Sequence, residues 1–184
     1  MKSVLISIKP HWCKLIASGK KTIEVRKTRP KCSVPFKCYI YCTNDYRNWA
    51  TKSNNCEFWV GKPLNNISKG RYFCNGKVIG EFVCDEIYDC RDINGDDACI
   101  TVAEWLKYTK GHKGKVYGWH ISNLVIYDKP KELSEFYKSG ILSYDEWLYG
   151  IYNGKGGATS SYESYKNVFK LKRPPQSWCY AEII

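Results

Sequence analysis

The chain has no Cys-x-x-Cys pair, although ten of its 184 residues are cysteine. No group of Cys and His has the spacing of a zinc site, so no metal and no other cofactor is expected. Cys38, Cys42, Cys84 and Cys179 sit inside apolar alternation, where a thiol serves as a small buried hydrophobe. No apolar run approaches the ~20 residues needed to span a bilayer. The N-terminus reaches Lys9-Pro10 too soon for a signal peptide. No basic amphipathic helix of useful length is visible, which argues against a membrane surface. The acidic run through Asp89, Asp92, Asp96 and Asp97 lacks the glutamate that a calcium loop requires, and reads as solvated. These absences point to a cytoplasmic chain with reduced thiols.

Acidic residues are nearly missing from the first 37 positions. That segment holds ten Lys/Arg against one acid, Glu24, a net of +9. The whole chain carries +11, so the remaining 147 residues supply only +2. A basic segment wrapped around one carboxylate is a footprint for a polyanion. A solubilising lysine surface is the plainer alternative.

That carboxylate belongs to the most informative stretch, residues 16–30. The spacing there is Gly-x-Lys-x-x-Glu-x-Arg, at Gly19, Lys21, Glu24 and Arg26. Gly19 suits the left-handed position after a helix. Thr22, Glu24 and Arg26 alternate with Ile23, Val25 and Lys27, so Glu24 and Arg26 should share one face of a strand. A carboxylate, a guanidinium and a nearby ammonium can pair among themselves or converge on a polar ligand. An exposed pair contributes only ~0–1 kcal/mol, so stability alone is a weak reason for the arrangement.

The four positions resemble the signature of the ASCH family, activating-signal-cointegrator homology domains related to PUA-like RNA-binding barrels. The order of surrounding elements and the ending Pro174-Pro175-Gln176-Ser177-Trp178 are also similar to small bacterial and phage ASCH proteins. The resemblance covers about residues 3–43 and 77–130 and the last strand. It implies a PUA-like barrel with the signature side chains lining a cleft. It also brings an enzymatic alternative. Some small ASCH proteins are N4-acetylcytidine amidohydrolases with a proposed lysine, threonine and glutamate. Lys21 matches the lysine. Glu24 stands where the threonine would be, and Asp96 or Asp97 stands near the place of the glutamate.

The rest of the chain reads as short strands with a few helices, α+β in class. Strands are expected at residues 3–9, 22–27, 36–43, 57–60, 77–88, 117–127 and 178–184. Asn75-Gly76 between apolar runs predicts a hairpin. Pro10 opens a short helix with Trp12, Leu15 and Ile16 on its apolar face. Capping boxes at Thr101/Glu104 and Ser143/Glu146 open helices to about 108 and 152. A short helix is expected at residues 131–136. Residues 153–161 are rich in Gly, Ser and Thr and read as mobile, with the chain returning to the fold at 168–171. The whole, residues 1–184, reads as one small PUA-like mixed barrel with insertions at about 44–71 and 137–172.

The expected function is that of a nucleic-acid or nucleotide binding module. RNA or a modified nucleobase would be held by Lys21, Glu24 and Arg26. Lys9, Lys20 and Lys27 would contribute charge. Tyr39 and Tyr41, opposite the Cys38/Ile40 face, would offer a stacking platform. The alternative is a hydrolase acting on a modified nucleoside or on RNA, with Lys21 and Glu24 as catalytic groups. Trp12, Trp119 and Trp178 read first as core. His120, alone among apolar neighbours, reads as a satisfied core residue, and His11 has no evident partner.

Overall fold

Strand β1 (Ser3–Ile8) is buried from Val4 through Ile8. The computed structural model describes residues 2–44, 57–61, 72–111, 115–140, 142–152 and 161–183. The alternation expected for residues 3–9 is present, but both of its faces are covered. Val4, Ile6 and Ile8 enter one core and Leu5 enters a second.

Helix α1 (Pro10–Ala17) follows at once, with Pro10 in its first turn. Its C-terminus closes as a Schellman motif. Gly19 N–H donates to Ile16 O at 2.9 Å and Lys20 N–H to Leu15 O at 3.0 Å, with Gly19 at φ +73°. The chain then enters β2 (Ile23–Arg26) and returns through β3 (Phe36–Cys42), which pairs with β1 in parallel. β4 (Trp59–Val60) pairs with β5 (Tyr72–Phe73). β6 (Val78–Cys84), β7 (Ile87–Asp89), helix α2 (Val102–Thr109), β8 (Tyr117–His120) and β9 (Ser122–Lys131) come next. After a short 3-10 turn (Leu133–Glu135) come β10 (Tyr137–Lys138), α3 (Tyr144–Tyr152), α4 (Tyr162–Phe169) and β11 (Trp178–Glu182).

The larger sheet has the order β10-β11-β1-β3-β6-β9, and a smaller one has the order β2-β8-β7. Among the described residues no sheet closes on itself through hydrogen bonds. The two sheets are instead joined at corners. Residues 77–88, expected as one strand, break after Cys84, and β6 and β7 lie in different sheets. Residues 117–127 break likewise at Ile121, where β8 passes into β9. Asn123 sits at φ +47° beside this corner. Trp119 and Ile121 are buried, whereas Asn123 and Val125 are exposed and Leu124 and Ile126 pack inward. The alternation therefore changes phase at the corner, which periodicity alone does not reveal. Gly80 permits the β6–β9 crossing: a Cβ there would meet Val125 O at 2.3 Å.

Three further expectations are corrected. Asn75-Gly76 does form a turn, closed by Lys77 N–H to Cys74 O at 3.0 Å. It is no hairpin, because β5 pairs with β4 while β6 pairs with β3 and β9. Only Gly76 has positive φ, whereas a type I′ hairpin turn needs it at both central residues. The Asn75 side chain instead accepts from Phe58 N–H at 3.1 Å. Residues 162–169 form α4, capped by Ser161, where no helix is expected from the sequence. Its aromatic residues pack against α3, with Tyr162 5.3 Å from Tyr144 and 5.4 Å from Trp147. Residues 153–160, read as mobile from the sequence, lie outside the described residues, as does most of 44–71.

The third correction concerns Tyr39 and Tyr41. Both are buried, at 7% and 5% exposure, and neither is a surface platform. The second core covers them with Phe136, Leu171 and Ala181. Tyr39 meets the Phe136 ring edge-on at 5.0 Å. Phe136 is fully buried there, so Phe136→Ala should destabilise the fold by about 3–5 kcal/mol in urea denaturation. Val168→Ala on the exposed side of α4 should change it by less than about 0.5 kcal/mol.

Beside this core, Glu81 accepts from Lys37 Nζ and Tyr127 Oη, each at 2.7 Å. Burial raises the carboxyl's proton affinity, but the two hydrogen bonds outweigh it and hold the group below its ordinary value. A carboxyl depressed in the folded state stabilises the fold above its unfolded pKa. That contribution is lost as pH falls through the folded value. Glu81→Gln should lower the melting temperature at neutral pH, and its further loss below about pH 4.5 should be shallower than that of the unaltered chain.

Candidate functional site

The face that each β2 residue presents is decided by what packs on either side of the small sheet. Ile23 and Val25 join Ala98 and Val116 in a third core, against Ile93, Trp105 and Tyr108. Glu24 and Arg26 point the other way. In register, Glu24 stands opposite Trp119, and Trp119 belongs to the main core. The expectation that Glu24 and Arg26 share a face is met in this geometry. Both faces of the strand are covered, so the charged residues are buried with the apolar ones.

Lys21, Glu24 and Arg26 contact one another. Arg26 Nη2 lies 3.0 Å from Glu24 Oε1, and Lys21 Nζ lies 3.5 Å from Glu24 Oε2. The three side chains are only 11%, 8% and 4% exposed, for Arg26, Glu24 and Lys21 in turn. Each cation has a second, main-chain partner. Lys21 Nζ donates to Ala98 O at 2.6 Å and Arg26 Nη2 donates to Ser7 O at 2.6 Å. Lys21 also stands 5.0 Å from the centre of the Trp12 ring. The centre thus ties β2 to β1 through Arg26 and to the loop before α2 through Lys21. The Schellman turn at Gly19 aims the chain so that Lys21 enters this space.

Two donors here are buried without a partner among the described residues: Arg26 Nε and Trp119 Nε1. Their positions are diagonal neighbours on one face of the β2–β8 pair, since Arg26 is opposite Tyr117 and Trp119 opposite Glu24. A buried N–H left unpaired costs about 1–3 kcal/mol, so such groups are rarely retained without a reason. Trp119 reads from the sequence as core, and it is fully buried. Its unpaired indole N–H beside the charged centre could be found only from the strand register.

The other candidates are dispersed. Lys9 and Lys20 are exposed and mark the two ends of α1. Lys27 is half-buried, 4.9 Å from the Tyr108 ring centre. His11 packs edge-on against Trp12 at 4.8 Å. Asp96 and Asp97 have exposed side chains, and it is the Asp97 carbonyl that accepts from Thr22 and Ile23 N–H. Near the place where the resemblance puts a glutamate, the loop gives Lys21 the Ala98 carbonyl. His120 is not a core residue. It is half-buried, with Nδ1 2.7 Å from Asp85 Oδ1. Among the described residues no Cys, His, Asp and Glu side chains gather as a metal site. No described helix is long and apolar enough to cross a membrane.

The fold is that of ASCH-domain structures. The crystal structure of an ASCH protein from Zymomonas mobilis superposes with a TM-score of 0.54 at 18% identity, over 97% of this chain and 87% of that one. A tyrosine-to-phenylalanine variant of the ASCH protein from that organism also gives 0.54 at 18% identity, over 98% of this chain and 90% of that one. No protein-family model and no curated protein matches the sequence.

Removing the carboxylate would leave two buried cations without their counter-charge. Glu24→Gln should destabilise by roughly 3–5 kcal/mol, more than Lys21→Met, which leaves Glu24 paired with Arg26. The double substitution should cost less than the sum of the two, because they share one interaction. Urea denaturation of the three variants measures this.

Proposed function

We propose that this protein is a nucleic-acid or nucleotide binding module, RNA or a modified nucleobase being its ligand. In this reading residues 1–184 form one domain, with segments 44–71 and 137–172 as additions to it. One observation carries the proposal: a buried carboxylate held between two cations, flanked by two unpaired donors. Such a group of donors suits a ligand rich in carbonyl or phosphate oxygen. Glu24 can accept from an exocyclic amine, as carboxylates do with cytosine. Around it, the exposed Lys9 and Lys20 at the ends of α1 provide positive charge for a phosphate backbone.

The hydrolase reading is kept for one feature, the Lys21–Glu24 pair at 3.5 Å. Lys21 could stabilise an oxyanion and Glu24 could activate water. The surroundings favour binding. No hydroxyl nucleophile stands at position 24, both Glu24 oxygens already face cations, and the Lys21 ammonium donates to a main-chain carbonyl.

Fluorescence titration of a labelled single-stranded RNA at two ionic strengths tests the proposal. Affinity should fall steeply with salt. Lys9→Ala and Lys20→Ala should each reduce the salt slope by about one. Absence of binding at low salt would remove the argument. In parallel, the protein incubated with N4-acetylcytidine or RNA should bind without releasing cytidine or fragments. Turnover lost in Lys21→Met would make the hydrolase reading the correct one.

A further inference from the structure

Helices α3 and α4 lie outside all three cores, and neither contains a buried residue. They hold each other through aromatic side chains. The Trp147 ring stands 5.4 Å from Tyr162 and 6.3 Å from Tyr165, and Tyr162 Oη donates to Leu142 O at 2.9 Å. Isolated helices shorter than about 12 residues are marginal in water and take most of their stability from a packed face. At nine and eight residues, α3 and α4 are both below that length.

The side of α3 turned away from Trp147 is aromatic and open. Asp145, Tyr149 and Tyr152 recur at i, i+4 and i+7 and so share one face. Tyr149 is 71% exposed and Tyr152 is 81% exposed, with Tyr144 at 53% on the flank. At roughly 200 Å² per ring, the three tyrosines leave about 400 Å² in water. That is the size of the largest apolar patch on a typical monomer, and such patches are often functional. It is about half of what each partner contributes to a standard interface, the scale of a weak, concentration-dependent association.

Charge and spacing restrict what covers this face. α3 carries Asp145 and Glu146 and no Lys or Arg, so it does not attract a polyanion. Two copies of a chain at +11 repel each other over most of their surfaces, and α3 lacks the cations that cause this. The face is also complementary to itself. In two antiparallel α3 helices crossing at Tyr149, Asp145 lies about 6 Å to one side of the crossing and Tyr152 about 4.5 Å to the other. Each Tyr152 hydroxyl then stands level with Asp145 of the other copy. The two Asp145 carboxylates are about 12 Å apart along the axis, beyond the ~8 Å screening length at physiological salt. We infer that α3 docks on α3 of a second copy of this chain, antiparallel about a two-fold axis at Tyr149, with Tyr152 of each copy donating to Asp145 of the other. A contact of this symmetry closes after two chains. It uses none of the residues of the proposed nucleic-acid site and stands independently of that reading.

Sedimentation equilibrium of the full chain, freed of nucleic acid by nuclease, between about 1 μM and 1 mM tests it. The mass should rise from 21.4 kDa towards twice that value. Tyr149→Ala should weaken association by at least about tenfold, and Tyr152→Phe by about fivefold. Tyr149→Phe keeps the ring at the axis and should leave association unchanged. Val102→Ala, at a residue 76% exposed on α2, should leave it unchanged too. Circular dichroism checks the helix content of each variant, and Tyr152→Phe serves if Tyr149→Ala does not fold. A mass of 21.4 kDa throughout the range would overturn the assignment. So would a dimer that survives Tyr149→Ala, one that Val102→Ala weakens equally, or one that forms only when nuclease is omitted. Indifference to Tyr152→Phe would overturn the antiparallel register.

Discussion

The arrangement depends on one constraint: the Glu24 carboxylate is buried and must keep its counter-charges. An isolated ion taken from water into a protein interior costs several kcal/mol even after relaxation, so the fold must bring its partners to it. Lys21 arrives from the turn after α1 and Arg26 from two positions along the same strand. Their spare hydrogen-bonding capacity is met by carbonyls of Ala98 and Ser7, which belong to other parts of the chain. The requirement to satisfy three charges therefore sets the spacing between the two sheets and the position of the loop before α2.

That satisfaction is incomplete. Among the described residues Arg26 Nε and Trp119 Nε1 have no acceptor. A centre built only for stability would be better served by apolar residues of similar volume, since replacing buried ion pairs in this way is often neutral or stabilising. The charged centre with its spare donors is the feature on which the proposed function rests. The chain leaving β2 after Arg26 carries Arg29 and Lys31 to a cleft beside the corner between β6 and β7.

The corners between the sheets explain how apolar and charged groups can share this interior. β6 and β9 leave the large sheet where β7 and β8 enter the small one. The turn of the chain at Ile121 places Trp119 inside and leaves Val125 outside. It also brings His120 against Asp85. A single long strand through residues 117–127 could not do all three, because its side chains would alternate between two fixed faces.

Much of the local structure was legible in the residues. Proline at the start of α1, the left-handed Gly19 and the Thr101/Glu104 capping box act over a few positions, so sequence suffices to predict them. The period of two along β2 placed Glu24 and Arg26 on one face. It could not say that this face is interior, because burial is decided by the partners on both sides. For the same reason Tyr39 and Tyr41 looked available, until the turn at 133–135 and residues 136 and 171 were seen to cover them. The Asn75-Gly76 pair forms a turn as its chemistry demands, yet which strands flank it is a matter of long-range pairing. The pairing of Glu24 with Trp119, and the meeting of Asp85 with His120, were settled only in three dimensions. They join residues 95 and 35 positions apart, and no local propensity or period extends over such a separation.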